Sequence, residues 1–281
     1  NHGVNIAYRG HSKDANNSPL IAIVCVREIV PRRNAADVFG AIINTTTAKL
    51  VLHGTVYWPP AKKELYVFIY FDNLGKPLLN VGDRAALGWK QDDVMPIIVK
   101  PMVDTLQDFR DKDFVHGSIR PSNMFDGAAQ GKPSKILLGD CLSAPASFAQ
   151  PVLYETIPRA MADPIARGTG TPADDLYALG ASIAVIMRQS DPMAGLSEED
   201  ILKQKILHGS YGAITGKDRF KGEILELLRG LLHDEPSQRW TIDEVLAWLD
   251  GRRLSPKQSS AMKKAPRPFT IGEERYLVAP L

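Results

Sequence analysis

Cysteine is the scarcest informative residue in this 281-residue chain: Cys25 and Cys141 are the only two. Two cannot build a disulfide framework, so they are expected to pack as small apolar groups in a reducing compartment. No apolar run approaches the roughly 18 residues of a membrane-spanning helix. The densest, LIAIVCV (Leu20–Val26), is strand-sized, so no membrane segment is expected. The six histidines lack metal-ligand spacing, which argues against zinc as the centre of the chemistry. A formal net charge of +2 gives no global field, and hence no pointer to nucleic acid. There is no internal repeat. The chain opens at Asn1 without a methionine or a signal-like run, so the start is read as a processed boundary and the location as cytoplasmic. What is present is ordinary for a folded body: 44% apolar and 23% charged residues, enough for a substantial core.

Two textures divide the chain. PLIAIVCVREI (Pro19–Ile29), AKLVLHGTVYW (Ala48–Trp58) and ELYVFIYF (Glu64–Phe71) are rich in β-branched and aromatic residues and predict strands. PPAKK (Pro59–Lys63) joins the last two as a hairpin loop. NAADVFGAIINTT (Asn34–Thr46) predicts a helix with Val38, Phe39, Ile42 and Ile43 on its apolar face. Beyond residue 88 the spacing becomes helical. Asp92–Asp111 carries apolar residues at Val94, Ile97, Ile98, Met102, Val103 and Leu106, with Pro96 and Pro101 implying a kink or a late start. Asp174–Arg188 is apolar throughout, as a central buried helix would be. Helices are also expected at 196–207, 222–232 and 241–249, with Ser197 before an acidic first turn and Thr241 with Glu244 as a capping box. HGSYGAITGKDRF (His208–Phe220) reads as a loop, and the Pro/Lys/Ser-rich stretch from Ser255 as a linker or tail.

Within this frame FVHGSIRPSNMF (Phe114–Phe125) resembles the catalytic loop of protein kinases, H-R-D-L-K-P-x-N, with His116, Arg120, Pro121 and Asn123 in register. SKILLGDCLS (Ser134–Ser143) resembles the strand and turn of the metal-binding Asp-Phe-Gly, here Asp140-Cys141-Leu142. MADPIARG (Met161–Gly168) is similar to the end of a bacterial kinase activation segment, DDLYALG to the helix start that follows, with Asp175 as its aspartate, and Leu231–Leu249 to the closing segment with a buried Arg239. Five segments fall in family order over some 135 residues. IVCVREI (Ile23–Ile29) resembles more faintly the strand of the nucleotide-contacting lysine, with Arg27 in its place, and YFDNLGKPLL (Tyr70–Leu79) sits where the hinge would be.

The resemblance implies an α+β, two-lobed fold: a reduced antiparallel N-lobe over 1–75, a helical C-lobe over 76–254 and a tail or linker over 255–281. It also exposes departures. Ser118 stands where the family has its catalytic aspartate, and a neutral hydroxyl cannot serve as base near pH 7. No G-x-G-x-x-G precedes Arg27, whose planar guanidinium does not replace a slim ammonium. The helix at 34–46 has no glutamate to pair with it. Asn123 and Asp140 remain, and in the family these hold magnesium; here they either bind Mg²⁺–ATP together with Arg27 or serve structure, Asn123 bracing the loop and Asp140 pairing with Arg27. Leu142, in place of the family's glycine, implies a locked activation segment, and His116 is expected to brace the loop rather than carry protons. Asp163 or Glu155 is expected to neutralise Arg239.

The implied function is a pseudokinase acting as a scaffold or regulatory module, without cofactor, for a protein partner or its own C-terminal region. Candidate surfaces are the helix at 196–207, the loop at 208–220 and the tail. The alternatives are a nucleotide switch without turnover, and an atypical ATP-dependent transferase using Asp111 or Asp113 as an improvised base.

Overall fold

In the computed structural model the described residues are 5–14, 16–26, 28–42, 46–79, 89–128, 134–188 and 191–254, with the backbone of two strands at 268–271 and 274–277. Strand β1 (Ile6–His11) forms a hairpin with β2 (Pro19–Val24), which is followed by helix α1 (Arg33–Ala41). A second hairpin, β3 (Leu50–Trp58) and β4 (Lys63–Phe71), turns at Pro59–Ala61 with Lys62 in the left-handed region. The four strands make one antiparallel sheet in the order β1-β2-β4-β3. Strand β1 does not figure among the strands expected from sequence. It is an edge strand whose register against β2 (Ile6 opposite Val24) supplies what IAYRGH lacks in local preference.

Alternation gives the sheet two faces. Ile21, Ile23, Phe68 and Tyr70 point inward toward α1, which buries Ala36 and Phe39. This corrects the apolar face expected for α1. The helix ends at Ala41, Ile42 is an extended C-cap, and Val38 faces outward. Ile43 lies outside the described residues. Phe39 meets the rings of Phe114 and Phe109 at 5.6 and 6.4 Å, which ties the helix to the rest of the core.

After the two-residue strand β5 (Lys76–Pro77) comes a run of α2 (Gln91–Val94), a π-helical turn (Met95–Val99) and α3 (Lys100–Asp111). The π turn is the structural answer to Pro96 and Pro101. Lys100 N–H reaches back to Met95 O, so the missing proline donors are absorbed without ending the helix. Strands β6 (Met124–Asp126) and β7 (Ile136–Leu138) complete a small antiparallel sheet with β5.

Next come the single turn α4 (Ile157–Ala160) and α5 (Pro172–Arg188), most of whose side chains are buried at the centre of the helical part. Helix α6 (Glu198–Thr215) starts as expected, Ser197 Oγ accepting from Asp200 N–H at 3.1 Å. It then runs through the stretch read as a loop. Gly209, at φ +71°, breaks it into two helical pieces, and the local breaker signal stood for that kink alone. Helices α7 (Gly222–Leu231) and α8 (Ile242–Leu249) match expectation, with the Thr241–Glu244 capping box formed in both directions. Strands β8 (Pro268–Ile271) and β9 (Glu274–Leu277) pair with each other. The chain is thus α+β, with a small antiparallel sheet ahead of a helical part and buried apolar residues of both joined in one core. Among the described residues no helix is long and apolar enough to cross a membrane.

Candidate functional site

The stretch His116–Asn123 crosses the space between α3 and β6 and is held from beneath by α5. Asp175, in the first turn of α5 and almost fully buried, accepts the amide N–H of His116 at 2.7 Å and of Gly117 at 2.8 Å, one on each carboxylate oxygen. Burial raises its pKa to about 7 against the pull of those two amides and of Arg32. Gly117 has φ +65°, and a Cβ there would stand 2.6 Å from Ala146 Cβ, so glycine alone fits. His116 is fully buried and stacked on Phe109, with Nε2 3.4 Å from Gly139 O. Burial first and Arg32 second drive its pKa down to about 3, so the imidazole is neutral.

Ser118 Oγ accepts from Arg120 Nη1 at 2.7 Å. The same nitrogen donates to Gln150 Oε1 at 3.0 Å, and Gln150 Nε2 donates back to Ile119 O at 2.7 Å. The serine is therefore one member of a neutral-acceptor set around a desolvated guanidinium, whose pKa burial lowers. Nothing in this set can take up a proton near neutral pH.

Asn123 and Asp140 do come together. Asn123 Nδ2 donates to Ser118 O at 2.8 Å and to Asp140 O at 3.0 Å. Two carbonyl acceptors demand the amide nitrogen, so the amide oxygen faces the other way, against Gly139; a Cβ on Gly139 would lie 2.2 Å from it. Asp140 accepts the Tyr70 hydroxyl at 2.6 Å and Leu142 N–H at 3.0 Å on Oδ1, shares Ser143 N–H between both oxygens, and takes the Ser143 hydroxyl on Oδ2. A magnesium ion needs free oxygens in near-octahedral array. Here the carboxylate is spent on four donor groups and the amide oxygen is turned away, so the residues as arranged do not fit the ion. The cavity they share with His116, Ser118 and Arg120 has a volume of about 30 Å³. Nucleotide-sized ligands occupy sites roughly ten times larger.

Two features close the site. Ala144, Pro145, Ala146 and Ala149 of the following segment line the cavity, and Ser147 N–H bonds Gly117 O at 2.7 Å. Leu142 is fully buried and does not have positive φ. The second feature has no sequence signal. Arg32, just before α1, donates Nη1 to His116 O and Cys141 O at 3.1 Å each and Nη2 to Val115 O at 2.8 Å. Its guanidinium lies 4.8 Å from the Phe114 ring centroid, and its own N–H reaches Leu142 O at 2.8 Å. Asn5 adds a parallel tie, accepting from Val26 N–H and donating to Ser143 O. The carbonyl oxygens that the Arg32 and Asn5 side chains reach lie 83 to 138 residues away, which explains why neither was legible.

The remaining expectations divide. Arg27 lies outside the described residues, so its pairing with Asp140 does too; Tyr70, Leu142 and Ser143 are the partners found for that carboxylate. Arg239 donates to His233 O at 2.9 Å and Asp234 O at 3.4 Å and lies 5.2 Å from the Tyr177 ring. Glu155 bonds Arg159 at 2.9 Å, and Asp163 is exposed, its Oδ1 accepting from Ile165 N–H. The pairing of Arg239 with either acid is corrected accordingly: turn carbonyls and an aromatic face, with Asp174 and Asp234 nearby, offset its burial. Asp111 is exposed beside Arg110, and Asp113 is exposed at φ +52°, neither lining the small cavity. Cys25 and Cys141 are both buried, and burial pushes the Cys25 thiol up to about 12. Among the described residues no three His, Cys, Asp or Glu side chains converge as a metal cluster.

No family model and no curated protein matches the chain.

Proposed function

We propose that the chain is a catalytically inactive protein kinase-like domain, a pseudokinase, that serves as a scaffold or regulatory module. The observation that carries this reading is the closure of the Asp140–Asn123 pair: the Asp140 carboxylate and the Asn123 amide nitrogen are bonded within the protein, around a cavity of about 30 Å³. Ser118 supports it, since its hydroxyl is an acceptor for Arg120, and neither Asp111 nor Asp113 lines the cavity in its stead. Opening Asp140 to a metal would sacrifice hydrogen bonds to a charged group worth about 1.5–3 kcal/mol each, a cost subtracted from any nucleotide affinity. What such a module offers is surface, and its partner is another protein or its own C-terminal region.

A second reading, a nucleotide switch without turnover, draws on the fact that Asn123 and Asp140 still line one cavity. Thermal unfolding with and without millimolar Mg²⁺–ATP separates the two, with Asp140→Ala as control. The scaffold reading expects no shift at any nucleotide concentration. Ligand at about a hundred times its Kd would stabilise by about 2.7 kcal/mol, a shift of several degrees; that shift, lost in Asp140→Ala, would replace the scaffold with the switch.

A further inference from the structure

The outward face of the four-stranded sheet carries an unexplained feature. By register, the outward positions run from Ile6 and Tyr8 on β1 through β2 and β4 to Leu52 and Val56 on β3, and all are apolar or glycine except Lys63, at the hairpin end of β4. A sheet with one solvated face ordinarily alternates apolar-in with polar-out. Here Tyr8 and Trp58, from the two edge strands, meet above the middle strands with ring centroids 4.9 Å apart, and Val24 and Val67 beneath them are buried. The arch seals the middle strands alone. Ile6 and Leu52 are each 50% exposed, and Tyr8 and Val56 more than a third.

The area selects the occupant. Four strands about 4.8 Å apart and some six residues long at about 3.4 Å each span about 400 Å². Two copies face to face would bury about 800 Å², short of the 1,200–2,000 Å² typical of a stable pair. A tethered segment needs less, because its effective concentration is about millimolar. The chain has such a segment. Strands β8 and β9 pair with each other, Phe269 opposite Tyr276 and Ile271 opposite Glu274, and three of these four residues are apolar. An isolated two-stranded hairpin is marginal in water and gains stability by covering an apolar surface. Residues 255–267 can span up to about 45 Å when extended.

We infer that the outward face of the β1–β4 sheet is the docking site of the chain's own β8–β9 hairpin, packed sheet on sheet. The inference stands on the sheet and holds whichever reading of the cleft is right. The test is amide hydrogen exchange on the full chain, at two protein concentrations tenfold apart. Amides of 268–271 and 274–277 should be protected at least about tenfold over a free hairpin. Leu52→Glu with Val56→Glu should abolish that protection while α5 amides stay protected. Phe269→Ser with Tyr276→Ser, which leaves the body intact, should do the same and speed exchange at Ile6–Tyr8. Unprotected hairpin amides in the unaltered chain, or protection that survives both variants, would overturn the docking. Protection that grows with protein concentration would overturn it in favour of a second copy.

Discussion

Removing the Arg32 guanidinium tests the view that the site is held shut from the side of the sheet. In Arg32→Ala three carbonyls, of Val115, His116 and Cys141, lose a charged donor, and Phe114 loses the cation at its face. Hydrogen bonds to a charged group contribute about 1.5–3 kcal/mol each, but three bonds from one partly exposed side chain do not add, and water can enter behind it. A loss of about 2–4 kcal/mol results, which for a chain of this size lowers Tm by roughly 5–15 °C. Arg32→Lys should recover less than half of it, because a point ammonium cannot span three acceptors that a planar fork meets together. Urea unfolding followed by tryptophan fluorescence reads both variants, and an unchanged m-value would show that stability, not the unfolded state, moved. If Arg32→Ala lay within about 0.5 kcal/mol of the unaltered chain, the range of a plain surface substitution, the clamp would carry no weight and closure would rest on the Asp140 network alone.

His116, held neutral down to about pH 3, makes stability fall as pH drops below 6.5, where the unfolded chain takes a proton that the folded chain refuses. The loss is about 2 kcal/mol at pH 5 relative to pH 8; His116→Phe should remove it, read as the difference in unfolding free energy between the two pH values. Asp175, raised to about 7, has the opposite sign: the folded chain keeps its proton, and that contribution is lost as pH rises from about 4 through 7. Tyr70→Phe deletes the hydroxyl that caps Asp140 and should cost about 1–3 kcal/mol in chemical denaturation. A neutral result there would mean that Ser143 and Leu142 satisfy the carboxylate unaided.

The sequence alone determined what depends on local spacing and residue type. The helix stripes of α5, α7 and α8, the Ser197 and Thr241 caps, and the β3–β4 hairpin follow from periodicity and capping chemistry acting within a few residues. So does the impotence of Ser118 as a base, since no fold gives a serine hydroxyl a carboxylate's proton affinity. Hidden from it was whatever two distant segments decide together. The buried face of α1 turned on where the helix stopped, and the prolines before α3 were absorbed in a π turn that only the packed helix stabilises. The partners of Asp140 and Arg239 are chosen by tertiary neighbours, Tyr70 and Ser143 for one, turn carbonyls for the other. Arg32 and Asn5 reach more than 80 residues along the chain to carbonyl oxygens, and every residue type offers a carbonyl, so no side-chain pattern marks the target. Loop closure over such distances costs little extra free energy but leaves no local signature. For that reason the identities of the candidate residues were written in the sequence, and the fact that they are shut was decided by the fold.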